Sequence, residues 1–433
     1  MRERKMHLLA YVKTGPTAQL AGAWRHPQAP LDDIFDPERY EHMAKVLEAA
    51  CFDGCFFADT LGLPDIYKGS YETYLRYGGQ LSYLDPMIVL PVMARATRHL
   101  GLGATLSTTF YPPYHLARTL ASLDHLSHGR ACWNVVTSTT DFEARNFGIG
   151  DLPAKDLRYD RADEIVEACC ALWDCWQEDA LVMDKETGLF IDPDKVRYAD
   201  YEGRYVRTRG PLTIPRSPQG RPVLMQAGAS PRGRDFAARW AEAIFSTSGS
   251  KKDAVAFYED IKGRMVRAGR APEDCVLCTS TTVVLGETEA IAREKADYLL
   301  SLVPLEMVLA TNSAMLGADL STTKDEDELV RNRGHQGHGG LADRLRQTMQ
   351  AEGISFEEAI RRPRNMVVGT PAMVADYMQD MFEARACDGF VLTPTISPLM
   401  WEEFARMLTP ELQRRGILRT EYAGTTMREN LRS

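Results

Sequence analysis

Short apolar runs alternate with longer amphipathic segments along the chain. The run MHLLAYV (6–12) is followed by the segment 37–50, in which Met43, Val46 and Leu47 recur at the spacing of one helix face. A short apolar run bounded by polar residues is typical of a buried strand. The alternation of strand-like and helix-like segments therefore favours a parallel sheet whose strands are joined by crossover helices.

The alternation continues through eight strand-plus-helix units. The strands are predicted at 6–12, 55–59, 100–108, 131–138, 221–228, 242–248, 275–286 and 388–394. The helices are predicted at 37–50, 85–97, 115–127, 158–176, from near Ser230, and at 251–269, 287–303, 370–387 and 398–416. Eight units are the number of a closed barrel rather than of an open doubly wound sheet, so the predicted fold class is α/β, a (β/α)₈ TIM barrel with insertions.

Two stretches interrupt the alternation and are interpreted as insertions. The first, 178–215, is rich in Asp, Arg and Tyr, and the second, 304–365, contains the polar run STTKDEDELVRNRGHQGHGG. Long loops at a barrel mouth usually form lids or pocket walls, so we expect both insertions to shape the pocket. The chain is thus predicted to be a single barrel domain, 1–433, that carries two insertions.

The net charge of the chain and the length of its first apolar run narrow the classes of possible partner. The net charge is −9 and the pI is near 5.6, and Lys and Arg form no blocks, which disfavours a nucleic-acid or anionic-membrane partner. The first apolar run is too short for a signal peptide or a membrane span. A small-molecule ligand is therefore expected.

The cysteines indicate a reducing compartment. Their number is nine, and they lie within apolar or helical stretches rather than at framework spacings, so we expect a cytoplasmic protein. Cys275 and Cys278 form a CxxC within a predicted strand, where positions i and i+3 point to opposite faces. No HxH or HExxH is present, and we expect no metal site.

Functional groups of a closed parallel barrel lie where its strands end. Four predicted strand ends are polar: Asp59-Thr60, Ser107-Thr108-Thr109, Thr137-Ser138 with Asn134 earlier in the strand, and Gly228-Ala229-Ser230. Asp, Ser and Thr are also common helix caps, so each end is either a ligand contact or a cap.

The segment QAGASPRGRDF (226–236) is the most informative of these ends. Its small residues allow close approach of an anion, and Ser230 can cap the following helix while the helix N-terminus supplies unpaired N–H groups. Arg232 and Arg234 are expected to add positive charge. A phosphate would fit there; the alternative is a plain capped helix. Since no nucleophile elbow or Walker loop appears, a cofactor is expected to carry the chemistry.

The stretch GLGATLSTTFYPPYHLARTLASLDHLSHGRACWNVVTSTTDFEARNFG (101–148) resembles the signature of the nitrilotriacetate/EDTA and dibenzothiophene-sulfone monooxygenase family. These are flavin-dependent members of the bacterial-luciferase-like superfamily. GAWRHP (22–27), RYDRADE (158–164) and GPLTIPRSPQGRPVLMQAGAS (210–230) extend the likeness over most of the chain. The resemblance implies a two-component system: an NAD(P)H-dependent flavin reductase supplies FMNH₂, with which this chain and O₂ oxygenate a small organic substrate. Relatives suggest a homodimer or homotetramer.

Matching motifs give a set of candidate cofactor-binding residues. They are Asp59, Ser107, Thr137, Lys155, Tyr159, Gly228, Ala229 and Ser230. The resemblance implies that Asp59 and Ser107 lie beside the isoalloxazine and that Tyr159 and Ser230 hold the ribityl phosphate, with backbone donors from the two residues before Ser230. Lys155 stands where relatives often have a histidine, and it either pairs with the phosphate or faces solvent.

Catalytic and substrate-binding candidates come from the same comparison. Asn134 and Thr105, on adjacent strands, are expected to hydrogen-bond the N5/C4a region of the flavin or the oxygen; the alternative is an inward-facing barrel layer. Trp24, His26, Phe57 and Tyr111 are candidate substrate contacts or, alternatively, packing residues of the mouth.

Three other functions stay open at this point. A deazaflavin-dependent oxidoreductase of the same superfamily would transfer hydride without oxygen, whereas the block 101–148 resembles the oxygenase branch. Some relatives bind flavin without catalysis, and a metal-dependent barrel hydrolase is the remaining alternative.

Overall fold

The computed structural model describes residues 4–17, 20–247, 250–323, 328, 339–362 and 365–433. Its strands are β1 (His7–Val12), β2 (Gly54–Phe57), β3 (Gly101–Ser107), β4 (Ala131–Val136), β5 (Tyr201–Glu202), β6 (Arg207–Thr208), β7 (Val223–Gln226), β8 (Ala243–Ser246), β9 (Val276–Leu285), β10 (Met366–Gly369) and β11 (Gly389–Leu392). Eight of them form a closed parallel ring in the order β1-β2-β3-β4-β7-β8-β9-β11, and β11 pairs back onto β1. The predicted (β/α)₈ barrel is confirmed.

Helices surround the ring, and α3 illustrates how a polar residue caps a helix N-terminus. They are α1 (Pro37–Ala49), α2 (Glu72–Arg76), α3 (Pro86–Ala96), α4 (Pro113–Leu126), α5 (Asp141–Asn146), α6 (Lys155–Trp173), α7 (Pro231–Trp240), α8 (Lys251–Arg267), α9 (Glu289–Ser301), α10 (Leu305–Leu316), α11 (Gly339–Glu352), α12 (Phe356–Arg361), α13 (Pro371–Glu383), α14 (Leu399–Glu403), a π-helical turn (Phe404–Leu408), α15 (Thr409–Arg414) and α16 (Met427–Leu431). Short 3₁₀ helices lie at Ala23–Arg25, Tyr67–Gly69, Pro193–Lys195 and Pro272–Asp274. Asp85 accepts a hydrogen bond from Met87 N at 2.8 Å, with Pro86 in the first turn, as the sequence predicts for α3.

The two faces of each strand enter different cores. On β1, Leu8, Ala10 and Val12 belong to the large cluster that contains the helix side chains, whereas Leu9 and Tyr11 belong to a second cluster built mainly from other strands. Because successive side chains of a strand point to opposite faces, the first cluster lies between barrel and helices and the second fills the barrel interior.

Residues late in the chain close the base of the barrel. Met427 and Leu431 of α16 join the interior cluster. Nearby, Asp53 is fully buried and accepts hydrogen bonds from the guanidinium of Arg419 at 2.6 Å and from Leu8 N at 2.8 Å, and its Oδ1 lies 3.0 Å from His7 Nδ1. Burial alone would raise the pKa of Asp53, but Arg419 and His7 hold it below its usual range. This ion cluster therefore ties the C-terminal segment to the first two strands.

The insertion at 178–215 does not lie at the mouth, contrary to the expectation. It connects the end of α6 to the start of β7, which places it at the N-terminal ends of the strands. The Glu164 carboxylate of α6 accepts from the backbone N–H of Tyr205 at 2.6 Å, and Tyr201 donates to Glu167 at 2.7 Å. The segment therefore covers the outer flank of α6 and cannot wall the pocket.

The insertion at 304–365 does reach the mouth. Met307 and Ala310 of α10 pack with Tyr67, Tyr74 and other residues of loops that leave the C-terminal ends of β1 and β2. We name this group, Ala21, Tyr67, Tyr74, Leu81, Met307 and Ala310, the lid cluster. A smaller core joins α10 to α11 and α12. Much of the polar run predicted here, at 324–327 and 329–338, lies outside the described residues, as do 363–364.

No single helix among the described ranges is long and apolar enough to cross a membrane. One bent pair, Glu289–Ser301 with Leu305–Leu316 at 78°, meets the length and composition requirement only when the two helices are joined. Within the protein, α9 and α10 each bury a row of apolar side chains.

Breaking the ion cluster at the base should be costly. Arg419→Met leaves the Asp53 carboxylate buried without its guanidinium, so we expect the free energy of unfolding at pH 7 to fall by about 3–5 kcal/mol in urea titration. The exposed pair of Arg207 and Glu202 supplies the control, because Arg207→Met should change it by only about 0–1 kcal/mol. Since the pKa of Asp53 is lowered in the folded state, the difference should be present above about pH 4 and shrink as the pH falls below it. Equal small losses in both variants would contradict this account.

Candidate active site

Inward-facing polar side chains gather at the C-terminal ends of β3 and β4. Thr105 and Asn134 are direct neighbours in the β3–β4 register, and Asn134 Nδ2 donates to Thr105 Oγ1 at 2.8 Å. Both residues are buried, and within the described chain Asn134 Oδ1 has no hydrogen-bond partner. A buried acceptor without a donor is costly unless a ligand satisfies it. The pair predicted from the sequence therefore lies together and presents one open acceptor.

The next layer toward the mouth contains Ser107 and Ser138. Ser138 adopts a left-handed conformation with φ 55° and donates to Ser107 Oγ at 2.9 Å. Ser107 Oγ also accepts from Thr109 N at 3.2 Å, and Thr109 Oγ1 donates to the carbonyl of Thr137 at 2.8 Å. Left-handed non-glycine residues are uncommon and recur at functional sites. Thr137 thus supports this layer through its backbone, while Ser138 makes the side-chain contact to Ser107.

Three ionisable side chains cluster where β1 and β2 end. Lys13 is 7% exposed, and its Nζ donates to Thr60 Oγ1 at 3.3 Å. Burial lowers the pKa of Lys13 to about 8, although the carboxyl groups of Asp59 and Glu143 oppose that shift. Burial also raises the pKa values of Asp59 and Glu143. We call Lys13, Asp59 and Glu143 the rim triad.

The carboxylates of the rim triad are occupied by local donors. Glu143 accepts from Leu61 N at 3.1 Å and from the Thr140 hydroxyl, while Asp59 accepts from the backbone N–H of Thr60 at 2.9 Å. Tyr111 lies within electrostatic range of both, and burial raises its pKa to about 12. The Tyr111 N–H donates to the Ser107 carbonyl at 3.2 Å, which places Tyr111 directly after β3 at the mouth, and its contact with substrate stays a prediction.

A second group of residues forms a cradle at the N-terminus of α7. Ser230 caps the helix, its Oγ accepting from Gly233 N at 3.2 Å. The Tyr159 hydroxyl packs onto two glycines: a Cβ added at Gly228 would lie 2.5 Å from it, and one at Gly233 would lie 2.7 Å from it. Burial raises the pKa of Tyr159, which keeps its hydroxyl a hydrogen-bond donor at neutral pH. We call Tyr159, Gly228, Ser230 and Gly233 the α7 cradle.

The positive charge expected near the cradle from Arg232 and Arg234 is already neutralised. Arg232 lies 3.0 Å from Asp160 and 2.5 Å from Asp163, and Arg234 donates to Asp260 at 2.8 Å and to the Ala229 carbonyl at 2.9 Å. The anion-binding capacity of the cradle therefore rests on helix N–H groups and hydroxyls.

Lys155 and Gln226 lie at the edge of the cradle. Lys155 is exposed at the first position of α6, one turn before Tyr159, and partial burial lowers its pKa. The Gln226 amide lies 3.4 Å from the Tyr159 hydroxyl, and its buried Oε1 has no partner within the described chain. Lys155 stays a prediction, whereas Gln226 was missed because nothing in the strand sequence distinguishes it from a core position.

Phe57 does not face the pocket. Its side chain is fully buried in the outer core, and its ring lies 6.3 Å from that of Tyr40 on α1. The neighbouring Phe56 instead faces the interior, 5.6 Å from Tyr11. The prediction of Phe57 as a substrate contact is wrong by one strand position, which reverses the face.

Trp24 and His26 lie in different surroundings. Trp24 donates to the Tyr77 carbonyl at 2.8 Å, and Tyr77 in turn donates to Glu306 of α10 at 2.6 Å, which links Trp24 to the lid region. The His26 ring lies 5.4 Å from Tyr298 of α9, and burial lowers its pKa. The contacts of His26 within the described chain are with α9 and its own loop rather than with the rim.

Lys13 and Glu143 also escaped the sequence analysis. Lys13 carries a detectable signal, since it directly follows β1 and continues the alternation of Leu9 and Tyr11, which face the interior. Glu143 lies in a loop helix whose position relative to β2 no local pattern predicts. The assembled site joins the rim triad, the inward pair Thr105–Asn134 and the α7 cradle. This arrangement defines a TIM-barrel enzyme that holds its ligands at the C-terminal face.

Comparison with known proteins identifies the family. The model of the family described as luciferase-like monooxygenase matches residues 17–388. The dibenzothiophene-sulfone monooxygenase of Rhodococcus erythropolis (strain XP) is 44% identical over 99% of this chain and 97% of its own. Nitrilotriacetate monooxygenase component A of Aminobacter aminovorans is 35% identical over 95% and 93%. A crystal structure of riboflavin lyase with modified FMN and substrate riboflavin superposes with a TM-score of 0.89, at 33% identity over 99% and 96% of the two chains. The chain belongs to the luciferase-like monooxygenase family and is a monooxygenase.

Proposed function

We propose that this chain is the oxygenase component of a two-component system. It takes FMNH₂ from a separate NAD(P)H-dependent flavin reductase and uses O₂ to oxygenate a small organic substrate. The name "component A" of the nitrilotriacetate relative and the FMN in the riboflavin lyase structure support this assignment. The observation that carries it is the α7 cradle, which offers an anion site on the same barrel face as an open, inward-facing amide oxygen.

The residues of the site fit FMN chemically. In the α7 cradle, Gly228 and Gly233 let the Tyr159 hydroxyl approach the backbone closely, and Ser230 and Tyr159 offer hydroxyls beside the helix N–H groups. Such a set of donors at a helix N-terminus suits a phosphate group. Farther along the ring, Asn134 Oδ1 is an acceptor for a ligand N–H.

Each group of residues then has a distinct task. Reduced FMN supplies the two electrons with which one oxygen atom of O₂ enters the substrate and the other leaves as water. The α7 cradle anchors the phosphate, and Lys155 stands one turn from Tyr159 to assist it. Thr105 fixes the Asn134 amide so that its oxygen points at the ligand. Asp59 and Ser107 border the ring of the cofactor.

In this proposal, the lid cluster excludes water from the site. Tyr77 joins the loops after β1 and β2 to α10 through its hydrogen bonds with Trp24 and Glu306, and the apolar side chains of the lid cluster pack at the same junction. Removing bulk water protects a reactive site from unproductive hydrolysis. As part of the same proposal, the chain acts as a single cytoplasmic domain in a homodimer or homotetramer.

Oxygen labelling tests the proposal directly. Purified protein, a generic NADH-dependent flavin reductase, FMN and ¹⁸O₂ are incubated with sulfones and aminopolycarboxylates, and products are analysed by mass spectrometry. We expect one ¹⁸O atom per product, and the same product when chemically reduced FMN replaces the reductase. Product formation with a reduced deazaflavin in the absence of O₂ would instead support a hydride-transfer enzyme. Failure to bind FMN or FMNH₂ saturably would overturn the proposal.

Gly228→Ala tests the α7 cradle. The added methyl would lie 2.2 Å from Gln226 Nε2 and 2.5 Å from the Tyr159 hydroxyl, so one of them must move. We expect the Kd for FMN to rise by about tenfold or more in a fluorescence titration, equivalent to about 1.4 kcal/mol. Gly150→Ala, at a glycine with open space around it, is the matched control and should bind FMN like the wild type. Unchanged affinity in Gly228→Ala would refute the cradle.

Asn134→Ala tests the inward pair. Loss of the amide removes the open acceptor, so FMNH₂ oxidation should continue while product per FMNH₂ falls by about tenfold and H₂O₂ rises. Product and H₂O₂ are quantified in the same reaction. Cys132→Ala, two residues earlier on the same face of β4 but in the apolar interior, should stay coupled. Full coupling in Asn134→Ala would show that the amide has no such role.

A further inference from the structure

Lys13 is a buried cation whose hydrogen-bonding capacity is largely unused. Of its three N–H donors, the described chain accepts one, through Thr60 Oγ1 at 3.3 Å. No carboxylate oxygen of the described residues lies within the 4.0 Å of an ion pair. Burying an ammonium group without full hydrogen bonding is expensive, so such a group is retained for a purpose.

The neighbours of Lys13 maintain its charge without occupying it. Asp59 and Glu143 both favour the protonated lysine, yet their oxygens accept from Thr60 N, Leu61 N and the Thr140 hydroxyl instead. Lys13 follows the last residue of β1 and continues the inward alternation of Leu9 and Tyr11, and its hydrogen bond to Thr60 after β2 places the ammonium group at the C-terminal ends of the strands. The remaining N–H donors are thus available to a ligand with negative charge.

The position of Lys13 around the ring separates it from the α7 cradle. In the ring order, β7 is the fourth strand from β1 in either direction, so the two strand ends face each other across the mouth. An FMN phosphate bound at the α7 cradle therefore cannot reach Lys13. What meets the lysine is either another ligand or the far end of the cofactor.

We infer that Lys13 binds an anionic group of the substrate, so that the chain selects organic anions that carry a carboxylate or a sulfur oxyanion. This inference deepens the proposed function and rests on it for the nature of the reaction. The lysine forms a charge-assisted hydrogen bond to the substrate anion at the β1 side of the mouth, opposite the anchored phosphate. Neutral analogues of the same shape leave the lysine unpaired and bind more weakly.

Paired probes of equal shape test the inference. Benzoate, benzenesulfinate and neutral benzamide are titrated into the FMN-loaded protein, and binding is followed by calorimetry. We expect the wild type at pH 7 to prefer the anions by about tenfold or more. Lys13→Met should abolish that preference and Lys13→Arg should keep it. Lys45→Met, which removes an exposed lysine of α1, should behave like the wild type.

The pH dependence separates a charge effect from a packing effect. The pKa of Lys13 is lowered to about 8, so the lysine is cationic below that value and neutral above it. The anion preference of the wild type should therefore decline as the pH rises through 8, whereas Lys13→Arg should keep it at pH 9.5. Thermal unfolding of each variant verifies that the fold persists.

Three results would overturn the inference. The first is equal affinity of the wild type for benzoate and benzamide, and the second is an anion preference that survives in Lys13→Met. The third is a loss of affinity in Lys13→Met that affects reduced FMN but not the probes, which would show that the lysine binds the anionic ring of the cofactor. Calorimetry without FMN keeps the two proposals apart. If the protein fails to bind FMN but shows an anion preference that depends on Lys13, only the flavin proposal is overturned. If the protein binds FMN but its affinity for the probes does not depend on Lys13, only the inference about Lys13 is overturned.

Discussion

The pairing of β11 with β1 is the contact on which the site depends. It joins the last barrel strand to the first, from His7 opposite Gly389 to Ala10 opposite Leu392, and turns a parallel sheet into a ring. Gly389 permits this approach, because a Cβ there would lie 2.0 Å from the His7 carbonyl oxygen. Ring closure makes every strand end on one rim, so side chains from distant parts of the sequence converge. The α7 cradle and the rim triad face each other only because of that closure.

The positions of the strands and helices could be predicted from the sequence, but the direction of each side chain could not always be. Strand and helix positions follow from local periodicity, and all eight barrel strands were predicted at positions that overlap the observed ones. The direction of a side chain needs the strand boundary as well, and β2 begins at Gly54 with only four residues. A strand so short gives too few alternations to fix its phase. Phe57 was therefore assigned to the pocket although Phe56 is the inward residue.

Long-range partners account for the other differences. The sequence suggests that Arg232 and Arg234 bind an anion, but in the structure they form ion pairs with Asp163 of α6 and Asp260 of α8. Those carboxylates are distant in sequence, so local patterns do not predict the pairing. The segment 178–215 was expected to wall the pocket. It follows a helix and precedes a strand, which places it at the opposite end of the barrel. The pair Thr105–Asn134 came from the family resemblance and the expectation that its two strands are adjacent, and the observed register places the two residues opposite each other.

The same ring closure shapes how the protein is made. A ribosome adds residues from the N-terminus, so the hydrogen-bonding edge of β1 waits for β11 until residue 392 has been added. The interior layer of the barrel stays incomplete still longer, until Met427 has been added. During that interval the nascent chain exposes an apolar strand edge and an incomplete interior core, the condition under which aggregation competes with folding.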